Sequence, residues 1–176
     1  MIKKYYYTDK EKSQLLKSIV PIVDTREQQN THITDWFDKK KIQWKSKALK
    51  QGDYSFYLPA NPELNIDRDL YFDKEIIIER KNSADELAVN FSKHRTRFEE
   101  EMATFPGKKY LLIENCTYGD IISGNYRSEY AAKSYAATLH TFNHRYDLEI
   151  VYMPDKQLSG MWIYSTFLYW LREVLR

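Results

Sequence analysis

Apolar and polar positions follow two regimes along this chain. Short apolar runs between polar turns fill the first half, and strand-like runs alternate with helical periods in the second. A polar, lysine-rich opening leads into a short helix around Glu11 to Lys17, and Ser18 to Val23 reads as a first strand. Pro21 there favours an edge position or a strand start, because it has no N–H to give to a ladder. Thr31 to Lys41 carries Ile33, Trp36 and Phe37 on one side, the spacing of an amphipathic helix. Ile42 to Leu49 alternates as a second strand, Gly52-Asp53 turns the chain, and Tyr54 to Leu58 reads as a third. Pro59 to Phe72 has no period and predicts a loop or excursion. Lys74 to Lys81 is the fourth strand, because three consecutive isoleucines, branched at Cβ, suit a pleated surface.

Beyond it, Ser83 to Glu86 matches a capping box opening a helix through about Phe91. A second helix runs from Ser92 to about Phe105, where Pro106-Gly107 stops it. Lys109 to Glu114 is a nearly continuous apolar run and predicts a central fifth strand. Ser128 is expected to cap a long helix through His144, Leu148 to Met153 to form a sixth strand, and Lys156 to Val174 a last helix. Early meander and later alternation together argue for an α/β fold, one mixed central sheet flanked by helices. The 176 residues suit a single compact domain over 1–176.

Composition narrows function only locally. A net charge of +2 names no partner. Lys39, Lys40, Lys41, Lys45, Lys47 and Lys50 nevertheless crowd one stretch, and Lys93, His94, Arg95 and Arg97 another, as a polyanion would require or as solvated faces commonly show. The single Cys116 excludes an internal disulfide and suits a reducing cytoplasm. Lys3, Lys4 and Tyr5 to Tyr7 lead on without the apolar core of a secretory signal. Met161 to Leu171 is too short to span a bilayer.

The chemistry concentrates at the end of the fourth strand. Alternation puts Glu79 and Lys81 on one face and Arg80 on the other. If strands three and four pair antiparallel, Asp53 at the start of one lies beside Glu79 at the end of its neighbour. Two carboxylates so placed can hold a hard cation such as Mg²⁺ and leave room for water and phosphate. A lysine beside them can orient the water or steady charge growing on phosphorus. Taken alone, the heptapeptide Glu79 to Asp85 is equally a surface ion pair at a strand end.

A longer pattern decides the reading. Val23-Asp24-Thr25-Arg26-Glu27, then Gly52-Asp53, then Glu79-Arg80-Lys81-x-x-x-Asp85 resembles the nuclease domain of the XPF-type structure-specific endonucleases, whose signature is GD…ERKxxxD. The four fixed residues of ERKxxxD occur by chance in on the order of one chain in several hundred. The resemblance covers about residues 18–153, with a C-terminal helix over about 156–174, and implies a restriction-endonuclease-like core. It implies Asp53 and Glu79 as metal ligands with the Arg80 backbone carbonyl as a third, Lys81 acting on the water, and Mg²⁺ as cofactor with Mn²⁺ substituting. Asp24 is implied as a ligand through water or to a second cation, and Glu27 as a further catalytic acid. Arg26 and Asp85 are implied as partners in a supporting ion pair or network. For Asp85, its N2 place in a helix is an equal explanation. Arg80, Lys93, Arg95 and Arg97 are the DNA-binding candidates.

Three features depart from the family pattern. Glu101 stands where a glutamine is usual four residues after the helix arginine, the 59–72 excursion lengthens a compact hairpin, and no tandem helix-hairpin-helix module follows the core in these residues. The expected activity is hydrolysis of phosphodiester bonds in branched, flapped or single-strand-containing DNA. The alternatives are a non-catalytic DNA-binding or scaffold subunit on the same fold and a less selective restriction-like nuclease. The last helix, apolar nearly all round from Trp162 to Trp170, predicts either core packing or a homodimer face. His140 and His144 lack a third ligand and read as ordinary helix residues or phosphate contacts.

Overall fold

The structure is a computed structural model and describes residues 7–176; the Lys3-to-Tyr6 opening lies outside them. Its centre is a mixed sheet in the order β2-β1-β3-β5-β6-β7, with β4 paired beside β3. The strands are β1 (Val20–Val23), β2 (Lys45–Ser46), β3 (Tyr54–Leu58), β4 (Leu70–Tyr71), β5 (Ile76–Lys81), β6 (Lys108–Glu114) and β7 (Leu148–Met153). The helices are α1 (Asp9–Lys17), α2 (Thr31–Lys39), α3 (Ala84–Ser92), α4 (Arg95–Thr104), α5 (Tyr118–Ser123), α6 (Ala132–Tyr146) and α7 (Ser159–Val174). β1 runs antiparallel to β3, and β3 antiparallel to β5. β5, β6 and β7 run parallel, so each of their connections must cross over through helices.

Two apolar layers form because side chains alternate across the sheet. On one face Leu15, Ile33, Phe37, Ile163, Phe167 and Leu171 from α1, α2 and α7 close over Tyr54, Phe56, Ile78 and Leu112. Phe56 sits at the middle, 4.6 Å from the Phe72 ring and 5.2 Å from Phe167. On the other face Leu87, Phe91, Phe98 and Phe142 from α3, α4 and α6 close over Leu111, Ile113 and Leu148. β6 lies between β5 and β7, as its apolar run predicts. α7 buries one side in the first layer, while Met161, Tyr169 and Val174 stay exposed. At Gly160 a Cβ would stand 2.9 Å from that of Trp36, so the glycine sets how closely α7 approaches α2.

Several boundaries differ from expectation for identifiable reasons. The second strand shrinks to Lys45–Ser46, because Ile42 and Trp44 turn to pack on the first layer. β2 reaches only Ile22 and Val23, so Pro21 occupies a stretch of β1 whose outer flank is open. Within the 59–72 excursion lie a 3₁₀ turn, Pro62–Leu64, and β4. α6 starts at Ala132 rather than after Ser128, whose hydroxyl accepts from Tyr130 N–H at 3.2 Å and makes a turn instead. Ser83 caps α3 by accepting from Glu86 N–H, but Glu86 accepts in turn from Asn82, so the capping box is only half closed. Among the described residues no helix is long and apolar enough to cross a membrane.

Candidate active site

The β3–β5 register builds the site. Tyr54 pairs with Ile78. One further step along an antiparallel pair sets Asp53 opposite Glu79, on one face. Asp53 N–H donates to Ile78 O at 2.9 Å, and the Asp53 side chain accepts from Arg80 N–H through Oδ2 at 2.8 Å. Gly52 makes this entry possible: it has φ +74°, and a Cβ there would stand 2.8 Å from that of Ile77. A second tie comes from the Gln51 amide, which donates to Glu101 O and Thr104 Oγ1 at 2.9 and 2.8 Å and holds the loop against α4.

Lys81 follows Glu79 by two residues and shares its face. Its Nζ donates to Glu79 Oε1 at 2.7 Å and stands 5.8 Å from the centre of the Phe98 ring. These two side chains open into a cleft of about 240 Å³ lined also by Asn90, His94, Arg97, Phe98 and Glu101. Burial, then the charges of Glu79 and Glu27, push the Asp53 carboxyl well above its ordinary range. Burial pulls the Lys81 ammonium down, but Glu79 and Asp53 outweigh it and raise it above the usual lysine value.

Arg80 faces the other way and belongs to a different structure. Its Nε reaches Glu27 Oε1, its Nη1 donates to Glu114 Oε2 at 2.8 Å, and its Nη2 donates to Gln28 O at 2.8 Å. Glu114 Oε1 meets His32 Nε2 at 2.8 Å, and Tyr54 OH donates to Glu27 at 3.1 Å. The Arg80 side chain is 4% exposed, so the expectation that Arg80 binds DNA is corrected. It is a brace joining the ends of β5 and β6 to the segment after β1. Glu27, expected as an acid of the catalytic cluster, is bonded into this brace, although its charge is felt at Asp53.

Asp24 is also committed elsewhere. Its Oδ1 accepts from Arg26 N–H and Nε at 2.8 and 2.7 Å, and its Oδ2 from Leu49 N–H at 2.6 Å. Burial raises this carboxyl, but the bonds from Arg26 and Leu49 outweigh it and leave it below the ordinary range. Asp24 therefore shapes the turn after β1, with both oxygens already accepting N–H groups. Nor are Arg26 and Asp85 partners: Arg26 pairs with Asp24, while Asp85 accepts from the N–H groups of Arg127 and Ser128 at 2.8 and 2.7 Å. Among the described residues, no three or more His, Cys, Asp or Glu side chains converge as a metal-holding group. The four expected acids thus divide into an Asp53–Glu79 pair and two supporting carboxylates.

The fit to a hard cation can still be judged from that pair. Asp53 Oδ1 and Glu79 Oε2 are left over by the bonds above. In a strand the N–H and C=O of one residue point to the same side, so the Arg80 carbonyl aims towards Asp53 as its N–H does. Three oxygens with like charges crowded among them match what Mg²⁺ or Mn²⁺ accepts when water completes the shell. Lys93, Arg95 and Arg97 are exposed. Arg97 pairs with Glu101 at 3.1 Å and Arg95 with Glu99 at 2.9 Å, so the acid at position 101 competes for the helix arginine. Glu114 and His32 are absent from the sequence reading. The signal for Glu114 was parity, since two residues beyond Leu112, the partner of Arg80, the side chain returns to the Arg80 face.

The family model described as the ERCC4 domain matches residues 23–166. Among solved structures, XPF from Aeropyrum pernix is similar with a TM-score of 0.62 and 18% identity, covering 88% of this chain and 66% of that chain. XPF from the same organism in complex with DNA gives 0.61 and 20%, covering 89% and 66%. This chain therefore spans slightly under two thirds of the XPF chains it resembles, and at such identity the likeness carries the fold. No curated protein matches. A central mixed sheet with Gly52-Asp53 set against Glu79-Arg80-Lys81, and a family model extending over most of the chain, agree: the protein belongs to the ERCC4 domain family.

Proposed function

We propose that the protein is a divalent-metal-dependent DNA endonuclease, hydrolysing phosphodiester bonds in branched, flapped or single-strand-containing DNA. The observation that carries this reading is Asp53 opposite Glu79 with Lys81 on the same face, Glu79 and Lys81 lining a cleft that also holds Arg97. Asp53, Glu79 and the Arg80 carbonyl would hold Mg²⁺ or Mn²⁺. When bound, the cation supplies a polarised phosphoryl oxygen and a more acidic water. Lys81, kept cationic by its carboxylate neighbours, acts as a fixed positive charge for the attacking water and the phosphate rather than as a base. Arg80 N–H fixes the Asp53 carboxylate, and the Arg80 brace fixes the strand end beneath both acids. Arg97 leaves Glu101 for a phosphate when DNA enters the cleft. One of the two similar Aeropyrum pernix structures is a complex with DNA, which accords with this choice of substrate.

The test is a panel of linear duplex, flap and four-way junction DNA at one salt concentration, with Mg²⁺ and with chelator, using the parent and Asp53→Asn. Metal-dependent cleavage by the parent and none by the variant, which stays folded, is the expected result. Undiminished cutting by Asp53→Asn removes the mechanism.

A further inference from the structure

We propose that the strip of Tyr57, Tyr71, Lys41 and Lys45 at the outer part of the sheet, on the face that carries Asp53, is a track for the single-stranded arm of the DNA substrate; this rests on the nuclease reading above. On that face the helices α3 to α6 close over β5, β6 and β7, and their apolar layer includes no residue of β1 to β4; Ile22 and Ser55 are fully buried there, and Tyr57 and Tyr71 further out are part-exposed. Alternation along β3 puts Tyr57 on the same face as Asp53, four residues away, or about 13 Å at ~3.3 Å per residue. Tyr57 pairs across to Tyr71 of β4, and the two rings stack with centres 5.0 Å apart and planes within 20°. Lys45 Nζ stands 5.4 Å from the centre of the Tyr57 ring and Lys47 Nζ 4.3 Å from that of Tyr71. Beside them a groove of about 570 Å³ continues over the sheet edge, lined by Tyr57, Lys45, Trp44, Gln43 and Lys41.

The charges along this strip decide its occupant. Asp73 engages Lys47 at 3.6 Å, and Asp38 accepts from the Trp44 indole at 2.9 Å. Among the described residues, Lys41, Lys45 and Lys50 have no carboxylate within ion-pair distance. Lys50 leads straight to Gln51, Gly52 and Asp53, so the positive run ends at the acids. Flat rings interleaved with unpaired ammonium groups suit a strand whose bases are free to stack and whose phosphates follow the lysines. A duplex keeps its bases stacked on one another and would use the lysines alone. The basic run that the sequence left open as a solvated face thereby acquires a role, and the site a reason to prefer DNA with an unpaired arm.

Binding is measured in the Asp53→Asn background, so that nothing is cut, by fluorescence anisotropy of a short labelled oligothymidylate and of a blunt duplex. Tyr57→Ala with Tyr71→Ala should weaken oligothymidylate binding about tenfold or more and leave duplex binding unchanged. Tyr57→Phe with Tyr71→Phe keeps the rings and should bind as the parent does. Lys41→Ala with Lys45→Ala should lower the slope of log K against log salt by about 1.4, at ~0.7 per phosphate on a single strand. Alanine variants that hold the oligothymidylate as tightly as the parent, or that lose duplex equally, overturn the track. If the wild-type protein cuts flap DNA in Mg²⁺ while those variants bind normally, the track fails and the nuclease stands. If it cuts nothing while they lose the oligothymidylate, the nuclease reading fails and a single-strand binding surface stands.

Discussion

Replacing Arg80 by Met separates bracing from DNA contact more sharply than any other change in this protein. Methionine keeps the apolar stem but removes a guanidinium that serves Glu27, Glu114 and the Gln28 carbonyl at once. Glu114 is fully buried and Glu27 nearly so, so in that dry setting Glu27 keeps only the Tyr54 hydroxyl and Glu114 only His32. Breaking a buried ion pair from one side costs about 3–5 kcal/mol. For a chain of this size, at about 2–4 °C per kcal/mol, the melting midpoint should fall by roughly 6–20 °C. The pH dependence carries the sign of the argument. Without Arg80, burial lifts the Glu27 carboxyl further above its unfolded value, so the folded variant binds more protons and its stability falls as pH rises past the ordinary glutamate range. The deficit relative to the parent should therefore shrink between neutral pH and about pH 5. Adding Glu27→Gln and Glu114→Gln should recover much of the loss, because the stranded charges disappear. Thermal melts followed by circular dichroism at both pH values read all of this. An Arg80→Met protein that melts within about 2 °C of the parent yet loses affinity for DNA would refute the brace and restore Arg80 as a phosphate ligand.

Three further outcomes are expected. Gly52→Ala meets both a left-handed backbone and the Ile77 side chain; it should cost about 1–3 kcal/mol in urea unfolding and reduce cleavage by displacing Asp53. In metal-free buffer the raised Asp53 pKa makes stability decline as pH climbs from the ordinary aspartate value through the higher folded one. Asp53→Asn should flatten that decline and also lose the rise in melting temperature that Mg²⁺ gives the parent. Asp85→Ala strands the Arg127 and Ser128 amides and should cost about 1–3 kcal/mol by melting, with the metal-induced stabilisation intact.

What could be seen in the sequence depended on whether a residue's role followed from parity. The three isoleucines of β5 and the alternation of β3 located both strands, and their antiparallel pairing brought Asp53 to Glu79. The same parity already turned Arg80 away from them, yet a basic residue inside a nuclease signature drew a DNA role that its burial denies. Glu27 and Asp24 kept their acidic character but not their place, because turn hydrogen bonds over a few residues leave no periodic trace. α5 leaves no sequence signal, because six residues between Thr117 and Gly124 carry too little period to register. The tyrosine–lysine strip was hidden for another reason: it needs Lys45, Tyr57 and Tyr71 from three strands, and only the register lines them up.

Glu79, Arg80 and Lys81 are adjacent in sequence but answer to different demands. Under the proposed function the outer two serve the reaction, while the middle one braces the architecture from the opposite side of the same strand. A descendant of this chain could trade away both outer residues, together with Asp53, and still fold around an untouched Arg80. Loss of cutting would then arrive without loss of shape, leaving an inert body free to be kept for holding nucleic acid alone.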